Sequence, residues 1–249
     1  MSQLKNAPLL EVIFEIRWKS DTAEDLNKFE MMLGAIYSEL VETFPLIQHL
    51  RPDPQLPFNI FINQPTHRFS ESAKKNYPLF QLGPGVLSVN TINDEYVWED
   101  FYLVITKVVN GFLNKNNFEK NKEIQISLKY LDLYKMPFDV KDQRSFFKDK
   151  FKIDLNFGDG IPRDAQPLFI NFETAYMTEL GALSFSLKNI QNDVNGKIEK
   201  SIIFESGIHR SIKLESFMET FDQWLNKSHR YLADFFRTVT AGKTYESFN

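Results

Sequence analysis

The first regular alternation of apolar and polar residues runs from Leu9 to Trp18. Val12, Phe14, Ile16 and Trp18 fall on one side, and Glu11, Ile13, Glu15 and Arg17 on the other. Period two predicts a half-buried strand. Ser20, Asp21 and Thr22 then offer N-cap side chains, and Leu26, Phe29, Leu33, Ile36, Tyr37 and Leu40 recur at three and four residues. That spacing predicts a helix from about Thr22 to Thr43. The prolines between Pro45 and Pro57 each remove a backbone donor and restrict the preceding residue, which predicts a loop. A short strand is predicted over Phe58–Ile62, and two more, Pro78–Leu82 and Val86–Asn90, are joined by a turn at Gly83-Pro84-Gly85. The stripe Val97, Phe101, Val104, Ile105, Val108 and Phe112 predicts a second long helix, about Tyr96–Asn114. Alternation resumes over Glu123–Tyr134, so the first half reads β-α-β-β-β-α-β.

The second half carries a short helix over Arg144–Lys150 and a strand over Phe151–Phe157 that Gly158-Asp159-Gly160 ends. A strand meander follows over Leu168–Met177, Ala182–Gln191 and Lys197–Ile208. Asn195-Gly196 is a strong hairpin signal between the last two. Ser216 and Glu219 have capping-box spacing, and an apolar stripe through Phe221, Trp224, Leu225, Leu232 and Phe235 predicts a closing helix over about Glu215–Thr240. The predicted class is α+β: antiparallel sheet covered on one face by three long helices. The chain is read as a single domain, 1–249, with pseudo-halves 1–137 and 138–249.

Composition narrows the chemistry. The 249 residues are 43% apolar and 25% charged, the proportions of a folded globular protein. The net charge of −4 argues against a globally basic nucleic-acid binder. With no cysteine, disulfides, thiolate catalysis and cysteine-ligated metals are excluded. Met1–Pro8 lacks the charged and apolar regions of a signal peptide, and no apolar window is long enough for a membrane helix, so a cytoplasmic location without membrane contact is expected. The 24 phenylalanines require thick aromatic layers between helices and sheet.

Catalytic motifs are incomplete. Ala241-Gly242-Lys243-Thr244 imitates the end of a phosphate loop, but Arg237 stands where the earlier glycine is needed and the segment follows a helix. His49, His67, His209 and His229 include no pair at helical chelating spacing, so no metal site is predicted. In the calcium-loop-like Asp154–Gly160, glycine holds the fifth position and aspartate the sixth, which needs glycine. Glu11 and Glu15 share a strand face at about 13 Å, too far apart for a glycosidase pair. No catalytic residue and no cofactor is predicted, and the balance leans away from an enzyme.

Three binding surfaces remain as candidates. Glu15, Arg17 and Trp98 are polar-face candidates for a small ligand or nucleotide held between sheet and helices. Residues 107–152 hold eleven basic against six acidic side chains, interleaved with Phe118, Phe146, Phe147 and Phe151. That pattern marks Lys120, Lys122, Lys148, Lys150 and Lys152 as nucleic-acid contacts. Trp224, Phe235 and Phe236 on the closing stripe are candidates for a protein partner or a second copy of the chain.

The segments Leu4–Trp18 (with Asn6-Ala7-Pro8-Leu9, Glu11-Val12, Phe14-Glu15 and Arg17), Phe80–Asn90, Tyr96–Phe101 and Ile126–Tyr130 resemble the motifs of a prokaryotic family of about this length. That family is sporadically distributed and carries no assigned activity. Its scatter is typical of horizontally moved accessory genes, including antiviral-defence and toxin-associated operons. With catalytic motifs absent, the leading expectation is a non-catalytic macromolecule-binding or adaptor protein, and the resemblance points to an accessory component of such an operon. Ligand binding and nucleic-acid binding are the alternatives.

Overall fold

The alternation of Leu9–Trp18 forms a strand, β1, and the helix after it, α1 (Ala23–Leu40), starts where the side chains dictate. Thr22 accepts from the Asp25 backbone N–H and the Asp25 carboxylate accepts from the Thr22 backbone N–H, a closed capping box. The computed structural model describes residues 6–50, 58–92, 94, 96–116, 118–136, 143–155, 170–194 and 197–248. Following α1 are β2 (Leu46–His49), β3 (His67–Ser70), β4 (Leu79–Gly83), β5 (Val86–Ile92), α2 (Trp98–Lys115) and β6 (Glu123–Lys135). Then come α3 (Gln143–Phe151), β7 (Phe172–Thr178), β8 (Gly181–Val194), β9 (Lys197–Lys213), α4 (Leu214–Val239) and α5 (Lys243–Glu246). Among the described residues the fold is α+β, with a nine-stranded antiparallel sheet in the order β2-β3-β4-β5-β1-β6-β9-β8-β7 and five α-helices. None of the helices described is long and apolar enough to cross a membrane.

The chain divides into two compact units that interleave in sequence. Glu11–Lys129 and His209–Leu225 form the N-terminal unit; Met1–Leu10, Tyr130–Ile208 and Asn226–Asn249 form the C-terminal unit.

In the N-terminal unit the inward residues of β1 sit on a row fixed by strand register, Phe14 opposite Val89, Val89 opposite Phe80 and Phe80 opposite Phe69. Phe69 and Phe80 stack at 4.3 Å. Helices lie on this face: Tyr37 of α1 reaches Phe69, Phe112 of α2 reaches Trp18, and Phe221 of α4 meets Phe14 edge-on at 5.7 Å. Two glycines hold the turn between β4 and β5. A Cβ on Gly83 would run into the Gln64 carbonyl, and Gly85 has φ +85° with the Trp18 carbonyl 2.9 Å from where a Cβ would stand.

The C-terminal unit has its own aromatic core. Tyr134 of β6, Phe147 and Phe151 of α3, Phe204 of β9 and Phe248 are buried together. Tyr134 meets Phe151 edge-on at 4.8 Å, and Phe185 of β8 meets Phe235 of α4 at 5.2 Å. The abundance of phenylalanine thus fills the interiors of both units.

Several sequence expectations are corrected. Part of the proline-rich passage is a strand, β2, and a further strand, β3, forms over His67–Ser70, where the sequence pattern predicts none. Phe58–Phe61 is a 3-10 turn, not a strand. Phe151 ends α3 and residues 152–155 are not a strand, while the rest of that expected strand and its Gly-Asp-Gly stop lie outside the described residues. Asn195-Gly196 lies outside them too. Ser216 is not an N-cap. α4 begins at Leu214, directly off β9, and the Lys122 and Lys120 carbonyls accept from the Leu214 and Glu215 N–H groups.

Candidate functional site

The polar side of β1 finds neighbours through the same register that builds the core. Glu15 lies opposite Ser88 of β5, Ser88 opposite Gln81 of β4, Gln81 opposite Arg68 of β3, and Arg68 opposite Gln48 of β2. Directly opposed residues of antiparallel strands point to the same face. Glu15, Ser88, Gln81 and Arg68 each lie one residue from the Phe14–Val89–Phe80–Phe69 row, and Gln48 lies one residue from Ile47 opposite Phe69, so these five point away from the helices. The result is an unbroken polar row across five strands, about 19 Å long at ~4.8 Å per strand.

Hydrogen bonds knit the row. Arg17 donates from Nε and Nη2 to the two Glu15 oxygens at 2.6 and 2.9 Å, and from Nη1 to the Asn63 carbonyl at 3.0 Å. Lys129 of β6 places its ammonium 3.5 Å from Glu15. Ser88 Oγ donates to Asn90 Oδ1 at 2.9 Å, and Asn90 Nδ2 donates to Glu11 at 2.8 Å. The Glu15 side chain is 12% exposed, whereas Arg17 and Lys129 keep 37% and 21%. Burial works to raise the Glu15 carboxyl, but the hydrogen bonds and charges of Arg17 and Lys129 outweigh it and hold the group below the usual glutamate range. The small residues Ser88 and Asn90 are buried as a floor between longer side chains. At the other end the Arg68 guanidinium lies over the Tyr77 ring, 5.5 Å from its centroid, and its Nε is buried with no acceptor among the described residues. The row therefore presents guanidinium, amide, hydroxyl and carboxylate groups in a fixed order, already bonded to one another on one side.

No family model, curated protein or solved structure matches this chain.

Of the ligand candidates, Glu15 and Arg17 come together as one ion pair. Trp98 is the first residue of α2, beside Tyr102, in the helical layer on the opposite side of the sheet. The five lysines divide between the units. Lys120 and Lys122 precede β6, and Lys122 donates to the Lys19 carbonyl and lies over the Phe118 ring. Lys148 and Lys150 sit on α3 and Lys152 follows it; Lys148 is paired with Asp154 at 2.7 Å and Lys152 donates to the Asp149 carbonyl. Phe147 and Phe151 are core residues, and Phe118 packs on Trp18 and Phe112, so those rings are committed to packing, not base stacking. Trp224 is buried in the N-terminal unit, and Phe235 and Phe236 pack partly buried against the C-terminal core. Sequence reasoning missed Gln48, Arg68, Gln81, Ser88 and Asn90. Each is an ordinary polar residue until strand register aligns it with Glu15. Among the described residues no cluster of three or more His, Asp or Glu side chains could hold a metal.

Proposed function

We propose that the protein is a macromolecule-binding adaptor whose partner, a protein, docks on the polar row of the N-terminal unit. The observation that carries this reading is the length and continuity of the row: five strands of aligned polar side chains exceed a small ligand and suit an extended surface. The charges are mixed, with Arg17, Arg68 and Lys129 beside Glu11 and Glu15. A polypeptide can complement such a pattern, whereas phosphates would meet the two carboxylates. The segments through which the chain resembles the sporadically distributed family supply Glu11, Glu15, Arg17, Gln81, Ser88 and Asn90 to this face, which agrees with an accessory role for that family.

The order of elements supports a finer reading of the scaffold as two similar halves, each with long helices over sheet. Strand, helix, an antiparallel run of strands and helix occur as β1-α1-β2-β3-β4-β5-α2, with four strands in the run, and again as β6-α3-β7-β8-β9-α4, with three.

Affinity purification of the tagged protein from its native host tests the proposal. A stoichiometric companion is expected with the wild type and with Lys227→Ala, an exposed control, and is expected to be lost with Ser88→Tyr and with Arg68→Ala. A companion retained by all four chains, or a wild type that elutes alone, removes the reading.

A further inference from the structure

The C-terminal unit buries an acid that plays no part in the polar row. Tyr130, Asp132 and Tyr134 alternate along β6 and share one strand face. Tyr130 Oη lies 2.8 Å from His229 Nδ1, which sets that face against the second half of α4. Asp132 is 3% exposed. Tyr134 Oη is buried with no hydrogen-bond partner among the described residues, and so is the Oγ of Ser228, the residue beside His229. The surroundings of Tyr134 are apolar: Phe147 and Phe151 from α3, Ile202 and Phe204 from β9, and Phe248 after α5.

The neutral titratable groups on these elements are Tyr130 and Tyr134 on β6 itself, His209 on β9, His229 and Tyr231 on α4 and Tyr245 on α5. Among the described residues, the charged groups of α3 (Arg144, Lys148, Asp149, Lys150), of this stretch of α4 (Lys227, Arg230, Asp234, Arg237), of β9 (Glu199, Lys200, Glu205, Arg210, Lys213) and of α5 (Lys243, Glu246) do not offset the burial of Asp132. Burial alone pushes its carboxyl up to about 8. Burial, and then the neighbouring Asp132 charge, push the Tyr134 phenol further up in turn.

We propose that Asp132 is a proton-operated latch between β6 and the second half of α4. Protonated, the carboxyl is a neutral group that the apolar interior tolerates. When its proton passes to solvent, the charge left behind finds no offsetting cation among the described residues and must reach water, which loosens α4 from Asn226 onward. The direction follows from linkage. Between the ordinary aspartate value of 3.8 and about 8, the folded chain holds a proton that the unfolded chain has released, so stability falls as pH rises through that interval. Above it, the full penalty is present.

Hydrogen exchange on the intact protein, corrected for intrinsic base catalysis, tests this over residues 226–239. Between about pH 6.5 and about pH 9.5 the wild type is expected to lose protection there about tenfold or more, and Asp132→Asn to lose none. Equal losses in both chains, or no loss in the wild type, overturn the latch. A second measurement needs no variant that must fold: the infrared band of a protonated carboxyl is expected in the wild type near pH 6.5 and bleached near pH 9.5. A wild type without that band also overturns it.

Discussion

Glu15 sets the charge balance of the polar row, since one carboxylate neutralises part of Arg17 and Lys129 while leaving both cations partly open to solvent. Glu15→Gln is expected to cost about 1 kcal/mol at neutral pH, measured by urea unfolding, because the pair is half-buried and bidentate. Its pH signature runs opposite to that of Asp132. Folding holds the Glu15 proton affinity below the unfolded value, so its contribution is present above the ordinary glutamate range and fades as pH falls through the lowered folded value. Melts taken at neutral and at acid pH should therefore diverge less for Glu15→Gln than for the wild type. Gly83→Ala, whose new methyl meets a backbone carbonyl, is expected to destabilise by about 3 kcal/mol or more, read from the same unfolding curves. At this scale the sequence shows Glu15 and Arg17 plainly, because period two puts both on the polar side of β1. It does not show that Ser88, Gln81, Arg68 and Gln48 continue the line, because pairing between strands is not written in the composition of either one.

Elements were legible where their patterns are long. β1, α1, α2, β6 and α4 each carry enough turns or alternations for one periodicity to dominate. Short elements were not. His67-Arg68-Phe69-Ser70 has one apolar residue in four, and it becomes a strand because Phe69 stacks on Phe80 once β4 is beside it. Phe58–Phe61 reads as a strand by composition yet closes a 3-10 turn, and Gln64 donates its N–H back to the Phe61 carbonyl. Ser216 has the right spacing for a cap, but the chain enters α4 straight from β9 and loop carbonyls take the first amides instead. The capping box that does close is that of α1, at Thr22. Thr22→Ala is expected to lower stability by about 1 kcal/mol and to increase exchange of the first-turn amides of α1, with the rest of the helix unchanged.

For the molecule as a whole, the aromatic cores explain why so many phenylalanines are needed, and the strand register explains why the other sheet face is free to be polar. Phe151→Ala opens a cavity at a site that touches Tyr134, Phe147 and Phe204, and calorimetry is expected to show a loss of about 3–5 kcal/mol. The central claim, that the row from Gln48 to Glu15 is a protein-docking surface, is tested most directly by photo-crosslinking in the native host. A benzophenone side chain replaces Gln81 in the row or, in a separate chain, Met31 on the exposed side of α1. The account predicts one discrete protein adduct from position 81 and none from position 31. An adduct from position 31 alone, or none from position 81 in a chain that melts like the wild type, would contradict it.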